Sequence, residues 1–151
     1  MMDASAIPVG ELLPHGPEMT VIDRVLTYSP ERTVAAVEIT PRSRFFSGTG
    51  VPAWVGIEYM AQTIAARAGY EARQRGEPPP IGYLLGTRAY RSSLPQFPLG
   101  ATLTIAVEPV VVDEKLGAFQ CSIAAADRVI ATAVVNTYQP AAHELREVER
   151  S

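Results

Sequence analysis

Val51-Pro52-Ala53-Trp54-Val55-Gly56-Ile57-Glu58-Tyr59-Met60-Ala61-Gln62-Thr63-Ile64-Ala65-Ala66-Arg67-Ala68 is the stretch on which the fold turns. A proline stands at its head, and the segment continues to about Arg75, where Gly76 and Pro78-Pro79-Pro80 end it. Proline at the entry and glycine just past the exit are the asymmetric marks of a helix. At 1.5 Å per residue the helix is roughly 33 Å long, the width of a small domain. Trp54, Val55, Ile57, Met60, Ala61, Ile64, Ala65 and Ala68 leave its first half almost no polar face. That half is expected to be enclosed by the rest of the chain. Arg67, Glu71, Arg73, Gln74 and Arg75 turn the second half toward water.

Strands flank the helix on both sides. Met19 to Leu26 and Thr33 to Thr40 read as a hairpin closed by Ser29-Pro30-Glu31-Arg32. After the helix, Gly82 to Tyr90, Ala101 to Val112, Gly117 to Ala126 and Arg128 to Tyr138 read as strands, with period-two alternation clear in Thr102-Leu103-Thr104-Ile105-Ala106-Val107. The turns between them are too short for parallel crossovers, so the pairing is antiparallel. The expectation is an α+β fold, an antiparallel sheet wrapped around one long central helix. One sheet of this size does not cover so apolar a helix, which points to a dimer that extends the sheet. Residues 1–140 are read as a single domain and 141–151 as a charged tail that frays.

The composition narrows the function. The 151 residues are 47% hydrophobic and 19% charged, with a formal net charge of −3, so no excess of positive charge is available for a phosphate backbone. No apolar run approaches the ~20 residues of a membrane span, and Met1-Met2-Asp3 lacks the order of a signal peptide, so the expected compartment is the cytoplasm. Cys121 is the single cysteine, which excludes an intramolecular disulfide, and His15 and His143 lie far apart without metal-ligand spacing. No metal or other cofactor is implied. Gly48-Thr49-Gly50-Val51-Pro52-Ala53 matches a dinucleotide fingerprint, but hairpin-linked strands provide no parallel βαβ unit to complete it.

Chemistry concentrates on the helix. Between Ala53 and Ala66 the one Asp, Glu, His, Lys or Arg is Glu58. Burial there would raise its pKa and suit it to general acid–base work; alternatively it reaches the surface near the helix N-terminus and interacts with the dipole. Gln62, one turn on, is placed to orient the carboxyl. The free N–H groups after Pro52, those of Ala53 and Trp54, can bind a carbonyl oxygen that gathers negative charge, or can be satisfied by water or a loop. His15 lies between Pro14 and Gly16-Pro17 in a rigid turn, either as a titrating group near a pocket or as packing.

Leu12-Leu13-Pro14-His15-Gly16-Pro17-Glu18-Met19-Thr20-Val21-Ile22-Asp23-Arg24-Val25 resembles the LPHRxPxLLxDRV opening of the hot-dog-fold β-hydroxyacyl-[acyl-carrier-protein] dehydratases, and Glu58-Tyr59-Met60-Ala61-Gln62 resembles their EAMAQ helix motif. The run from Val51 to Gln62 is closer still to the dehydratase-like proteins of aryl-polyene and xanthomonadin-type pigment pathways. The resemblance covers most of the chain. It implies a hot-dog fold, an acyl carrier protein as partner and a dimer, with a second copy or with another hot-dog subunit. It also implies dehydration of a 3-hydroxyacyl thioester: a histidine takes the α-proton, the helix acid protonates the departing hydroxyl, and a helix N-terminal N–H polarises the thioester carbonyl.

Glu58 and the N–H near Ala53 match two of those roles. The family's GHFPGxPxxPG loop is shortened here to Gly48-Thr49-Gly50-Val51-Pro52-Ala53, without its histidine. Either His15 supplies the base, or Glu58 serves as base and acid in turn, or the chain is the partner subunit of an active dehydratase. A thioesterase on the same fold, with Glu58 activating water, is the other alternative. The resemblance places Trp54, Ile57 and Phe46 along an acyl tunnel. Arg42, Arg44, Arg88 and Arg91 are candidates for docking an acidic carrier protein, or else form a solvated rim.

Overall fold

The computed structural model describes residues 1–113 and 115–140. A two-residue strand, β1 (Met2–Asp3), precedes a hairpin of β2 (Arg24–Ser29) and β3 (Arg32–Glu38). A short β4 (Gly50–Pro52) leads through a 3-10 turn, Ala53–Val55, into the one α-helix among the described residues, α1 (Gly56–Gln74). Then follow β5 (Tyr83–Ser92), β6 (Gln96–Pro98), β7 (Thr102–Val112), β8 (Leu116–Ala125) and β9 (Arg128–Tyr138). The expected helix is present with its boundaries shifted by a few residues. Gly76, at φ +71, gives the left-handed residue that ends it.

Seven strands form one antiparallel sheet in the order β1-β2-β3-β7-β8-β9-β5, while β4 and β6 pair separately. The sheet curls around α1, which is the hot-dog arrangement. Its order holds one feature that local turns do not encode: β5 passes over β7 and β8 to pair with β9, so Tyr83 lies opposite Tyr138 and Ser92 opposite Ala131. The β8–β9 hairpin closes on Ala126 and Asp127, both at positive φ (49° and 64°), the geometry that matches strand twist.

The core forms between the concave face of the sheet and one face of α1. Val55, Tyr59, Met60, Ile64, Ala66 and Tyr70 of the helix segment meet Ala35, Val37, Ile105, Val107, Cys121, Ile123 and Val135 of the sheet. The N-terminal segment closes the arc. Leu12 is fully buried, and its carbonyl lies where a Cβ on Gly69 would stand, so glycine at that position lets the segment lie against the helix backbone.

Two expectations are corrected. The strand read from Met19 begins only at Arg24: Pro17–Met19 is a 3-10 turn, and the backbone of Met19 and Val21 is engaged by the Gln62 side chain instead of a neighbouring strand. The first half of the helix segment is not enclosed all round: Trp54 is 59% exposed, Glu58 is exposed, and Ile57, Ala61 and Ala65 are half-buried. The tail 141–151, with His143, lies outside the described residues.

Candidate active site

The open face of α1 carries a cavity of about 220 Å3, lined by Pro14, His15, Glu58, Ala61, Gln62, Ile64, Ala65 and Ala68, with Tyr83 and Leu84 of β5, Thr137 and Tyr138 at the end of β9, and Gln139 beyond it. Helical spacing accounts for the floor: positions 58, 61, 62, 65 and 68 recur at three or four residues and so share one face. Alanine at three of them leaves room where larger side chains would fill it.

Gln62 organises the polar end. It is 3% exposed, its Oε1 accepts from the Val21 N–H at 2.8 Å, and its Nε2 donates to the Met19 carbonyl at 2.7 Å. The backbone on both sides fixes which end of the amide is donor and which is acceptor. The same Nε2 donates to Glu58 Oε1 at 3.1 Å, so the carboxylate is oriented by a side chain that cannot itself flip without losing two buried hydrogen bonds. Sequence spacing anticipates the Gln62–Glu58 pair. The link to Met19 and Val21, 41 to 43 residues away, has no local signal.

His15 reaches the same cavity from its turn. Its Nε2 is sealed from solvent, with no hydrogen-bond partner among the described residues. Glu58 departs from one expectation: its carboxylate is exposed in this chain, so the desolvation foreseen for it does not come from its own fold.

The helix entry forms a second locus. The Ala53 N–H does not face a ligand; it donates to the Pro95 carbonyl at 3.0 Å, because the chain after β5 turns back to form β6 beside β4. Trp54 follows at the start of the 3-10 turn, where a backbone N–H has no intrahelical acceptor. Tyr90, which sequence reasoning missed, donates its hydroxyl to the Ala53 carbonyl, and burial pushes that phenol up to about 12. Gly56 makes this approach possible, since a Cβ there would collide with the Tyr90 hydroxyl.

Trp54, Ile57 and Phe46, expected as tunnel walls, do not line the cavity. Trp54 meets Phe45 edge-on at 5.1 Å between ring centroids, and Phe46 packs against the core. Phe45 stands at φ +66, a conformation bulky residues rarely adopt. Arg42 and Arg44 share the loop after β3, where Arg44 donates to the Glu18 carbonyl and lies 5.3 Å from the Phe45 ring. Arg88 and Arg91 flank a bulge in β5, and all four are exposed.

The ApeP-like family, described as ApeP dehydratase, matches residues 7–149. A chain of the dehydratase heterocomplex ApeI:P from Xenorhabdus doucetiae superposes with a TM-score of 0.86 at 32% identity, over 96% of this chain and 99% of that one. The 3-hydroxyacyl-[acyl-carrier-protein] dehydratase FabZ of Anaeromyxobacter sp. (strain K) is 31% identical over 108 residues, which is 68% of this chain and 69% of that protein. A hypothetical thioesterase of Streptococcus pneumoniae, solved with coenzyme A, shares the fold at a TM-score of 0.61 and 12% identity, over 78% of this chain and 84% of that one. With a helix acid oriented in a cavity and a family match along nearly its whole length, the chain belongs to the ApeP-like dehydratases, hot-dog proteins related to FabZ.

Proposed function

We propose that the chain dehydrates 3-hydroxyacyl thioesters carried on acyl carrier protein, in biosynthesis of the aryl-polyene type, as one subunit of a hot-dog pair. The observation that carries this reading is the Gln62-oriented carboxylate of Glu58 in a cavity that also holds His15. In its protonated, carboxylic acid form Glu58 gives its proton to the departing hydroxyl and is left as the carboxylate. The α-proton passes to a base, for which His15 is this chain's candidate, and the electrons left on the α-carbon form the double bond as the C3–O bond breaks. The Trp54 N–H, the neighbour of the already engaged Ala53 N–H, receives the negative charge that builds on the thioester oxygen.

The pair is inferred from the edge of the sheet. β5 offers ten residues of strand edge with Tyr83, Leu84 and Leu85 exposed beside the cavity, and a second hot-dog subunit laid along it would cover both. Such a partner also supplies the enclosure that Glu58 lacks. It can be a second copy, or a different subunit as in the relative from Xenorhabdus doucetiae, where the dehydratase is a heterocomplex. Arg42, Arg44, Arg88 and Arg91 are the cations we assign to docking the carrier protein, with Arg44 fixed in place by its bond to the Glu18 carbonyl. A carrier-bound substrate makes the cytoplasm the working compartment, with residues 1–140 as the functional unit.

Intact-mass analysis of a 3-hydroxyacyl carrier protein tests the reading. Incubation with the full chain and its partner removes one water and leaves the thioester intact. Glu58→Gln lowers the rate at least ~100-fold, in keeping with loss of a general acid. Release of the free acid identifies a thioesterase instead, and turnover undiminished in Glu58→Gln removes Glu58 from the chemistry.

A further inference from the structure

We infer that Tyr90 is a positioning residue for the reaction: by gripping the Ala53 carbonyl it fixes the peptide plane that presents the Trp54 N–H to the thioester oxygen. The inference rests on the dehydratase reading above and adds to it a residue far from the cavity acid in sequence.

The Ala53 carbonyl and the Trp54 N–H belong to one planar peptide unit and point in opposite directions, so whatever fixes the first aims the second. That carbonyl accepts two hydrogen bonds, one from the Gly56 N–H that closes the 3-10 turn and one from the Tyr90 hydroxyl. On the other side of Ala53, its own N–H is tied to the Pro95 carbonyl at 3.0 Å. Both peptide planes flanking Ala53 are therefore anchored to the chain segment that runs through β5 and on to β6. The N–H left at the helix entry is that of Trp54, a residue more than half exposed.

The fold makes two local accommodations for this contact. Between Arg88 and Arg91, three steps along β5 match two along β9, so β5 carries an extra residue, and Ala89 in this bulge stands at φ +53. A left-handed alanine is strained, and such outliers gather where geometry serves function. Gly56 is the second accommodation: a Cβ there would collide with the Tyr90 hydroxyl, and would also crowd Ile123 and Phe97 of the core. Burial keeps the phenol protonated throughout the physiological range, so the hydroxyl acts as a constant donor.

The test reads the carbonyl directly. A saturated acyl thioester, labelled with 13C at the carbonyl and unable to dehydrate, is bound to the full chain in its native assembly, and the carbonyl stretch is followed by difference infrared spectroscopy. Wild type lowers the stretch relative to free thioester. Tyr90→Phe loses most of that shift with the dissociation constant within about twofold, and its kcat falls about 10- to 100-fold at nearly unchanged KM, less than or equal to the loss of an oxyanion donor itself. Gly56→Ala, whose methyl displaces the hydroxyl and also crowds Ile123 and Phe97, moves the stretch as Tyr90→Phe does while lowering the melting temperature further, and the double variant loses no more of the shift than Tyr90→Phe alone. A merely structural tyrosine would lower the melting temperature without moving the stretch.

The outcomes separate the two claims. A Tyr90→Phe chain that keeps both the shifted stretch and wild-type kcat, while Glu58→Gln is inactive, overturns the role of Tyr90 and leaves the dehydratase reading standing. Loss of the shift in Tyr90→Phe when wild type itself dehydrates nothing upholds the positioning role and overturns the dehydratase reading. Absence of any shift in wild type overturns the role of Tyr90.

Discussion

The two edges of the seven-stranded sheet are finished differently. At one, β1 contributes two residues, Met2 and Asp3, and Asp3 folds back to accept hydrogen bonds from Ser5, so little backbone is left to pair. At the other, β5 runs for ten residues with Tyr83, Leu84 and Leu85 facing out. The helix follows the same division. Its buried face meets the sheet and the N-terminal segment, while its open face, with Glu58, Ala61, Ala65 and Ala68, looks toward the β5 side. Natural sheets blunt the edges that must stay single. A chain that blunts one edge and leaves the other long and apolar, beside the Gln62-oriented carboxylate of its cavity, is divided in the way the proposed pairing and chemistry require.

The largest effect that would break this division is expected on the closed side. At an open helical site Gly→Ala stabilises by about 1 kcal/mol. At Gly69 the added methyl meets the Leu12 backbone carbonyl, and backbone cannot step aside as a flexible side chain would. Gly69→Ala should therefore destabilise by about 3 kcal/mol, the upper end of overpacking costs, lowering the melting temperature by roughly 10 °C in a chain of this size. Thermal unfolding followed by circular dichroism decides it, and a rise in melting temperature would mean that the N-terminal segment does not seal the helix.

A smaller effect is expected on the open side. Leu85 is 59% exposed and is the extra residue of a bulge, between Leu84 opposite Thr137 and Gly86 opposite Asn136. Leu85→Lys changes no buried contact, so the fold of the chain itself should hold to within about 0.5 kcal/mol. A charge on the edge opposes strand addition, so sedimentation velocity should report a single chain where wild type reports a pair. A pair of undiminished affinity would move the interface away from β5.

This asymmetry also explains what was legible in the sequence. The helix could be read because Pro52, Gly76 and an apolar run are local signals, and β7 to β9 because tight turns join strands that do pair. Glu58 and Gln62 stood out as polar groups on an apolar helix at a spacing of four, and the structure joins them by a hydrogen bond. The pairing of β5 with β9, by contrast, closes a loop of some forty residues, and no local preference encodes it. The same is true of Gln62 with Met19 and Val21, and of Tyr90 with Ala53. The oxyanion expectation went astray at Ala53 because its acceptor, the Pro95 carbonyl, arrives from beyond β5. Enclosure of Glu58 was expected from composition, yet composition registers that apolar surface must be covered without saying which chain covers it.

The effect confined to the narrowest conditions, alkaline pH, sharpens the comparison from within the closed side. Tyr59 is 2% exposed, and its phenol is pushed up to about 12, first by burial and then by the neighbouring charge of Asp23 and by Tyr90. An unfolded tyrosine titrates near 10, so between pH 10 and 12 the folded chain keeps a proton that the unfolded chain has lost. Stability from this group is complete below pH 10 and declines as pH rises through the folded value, by up to about 1 kcal/mol per pH unit. Tyr28 and Tyr90 are raised in the same direction and steepen the fall. Urea unfolding at pH 8, 10, 11 and 12 should show stability dropping only at the alkaline end, and Tyr59→Phe should make the drop shallower by one group's share. An equal slope in the variant would mean that Tyr59 ionises as readily folded as unfolded, which a phenol sealed between helix and sheet does not do, and the closed side would then be open to water at its centre.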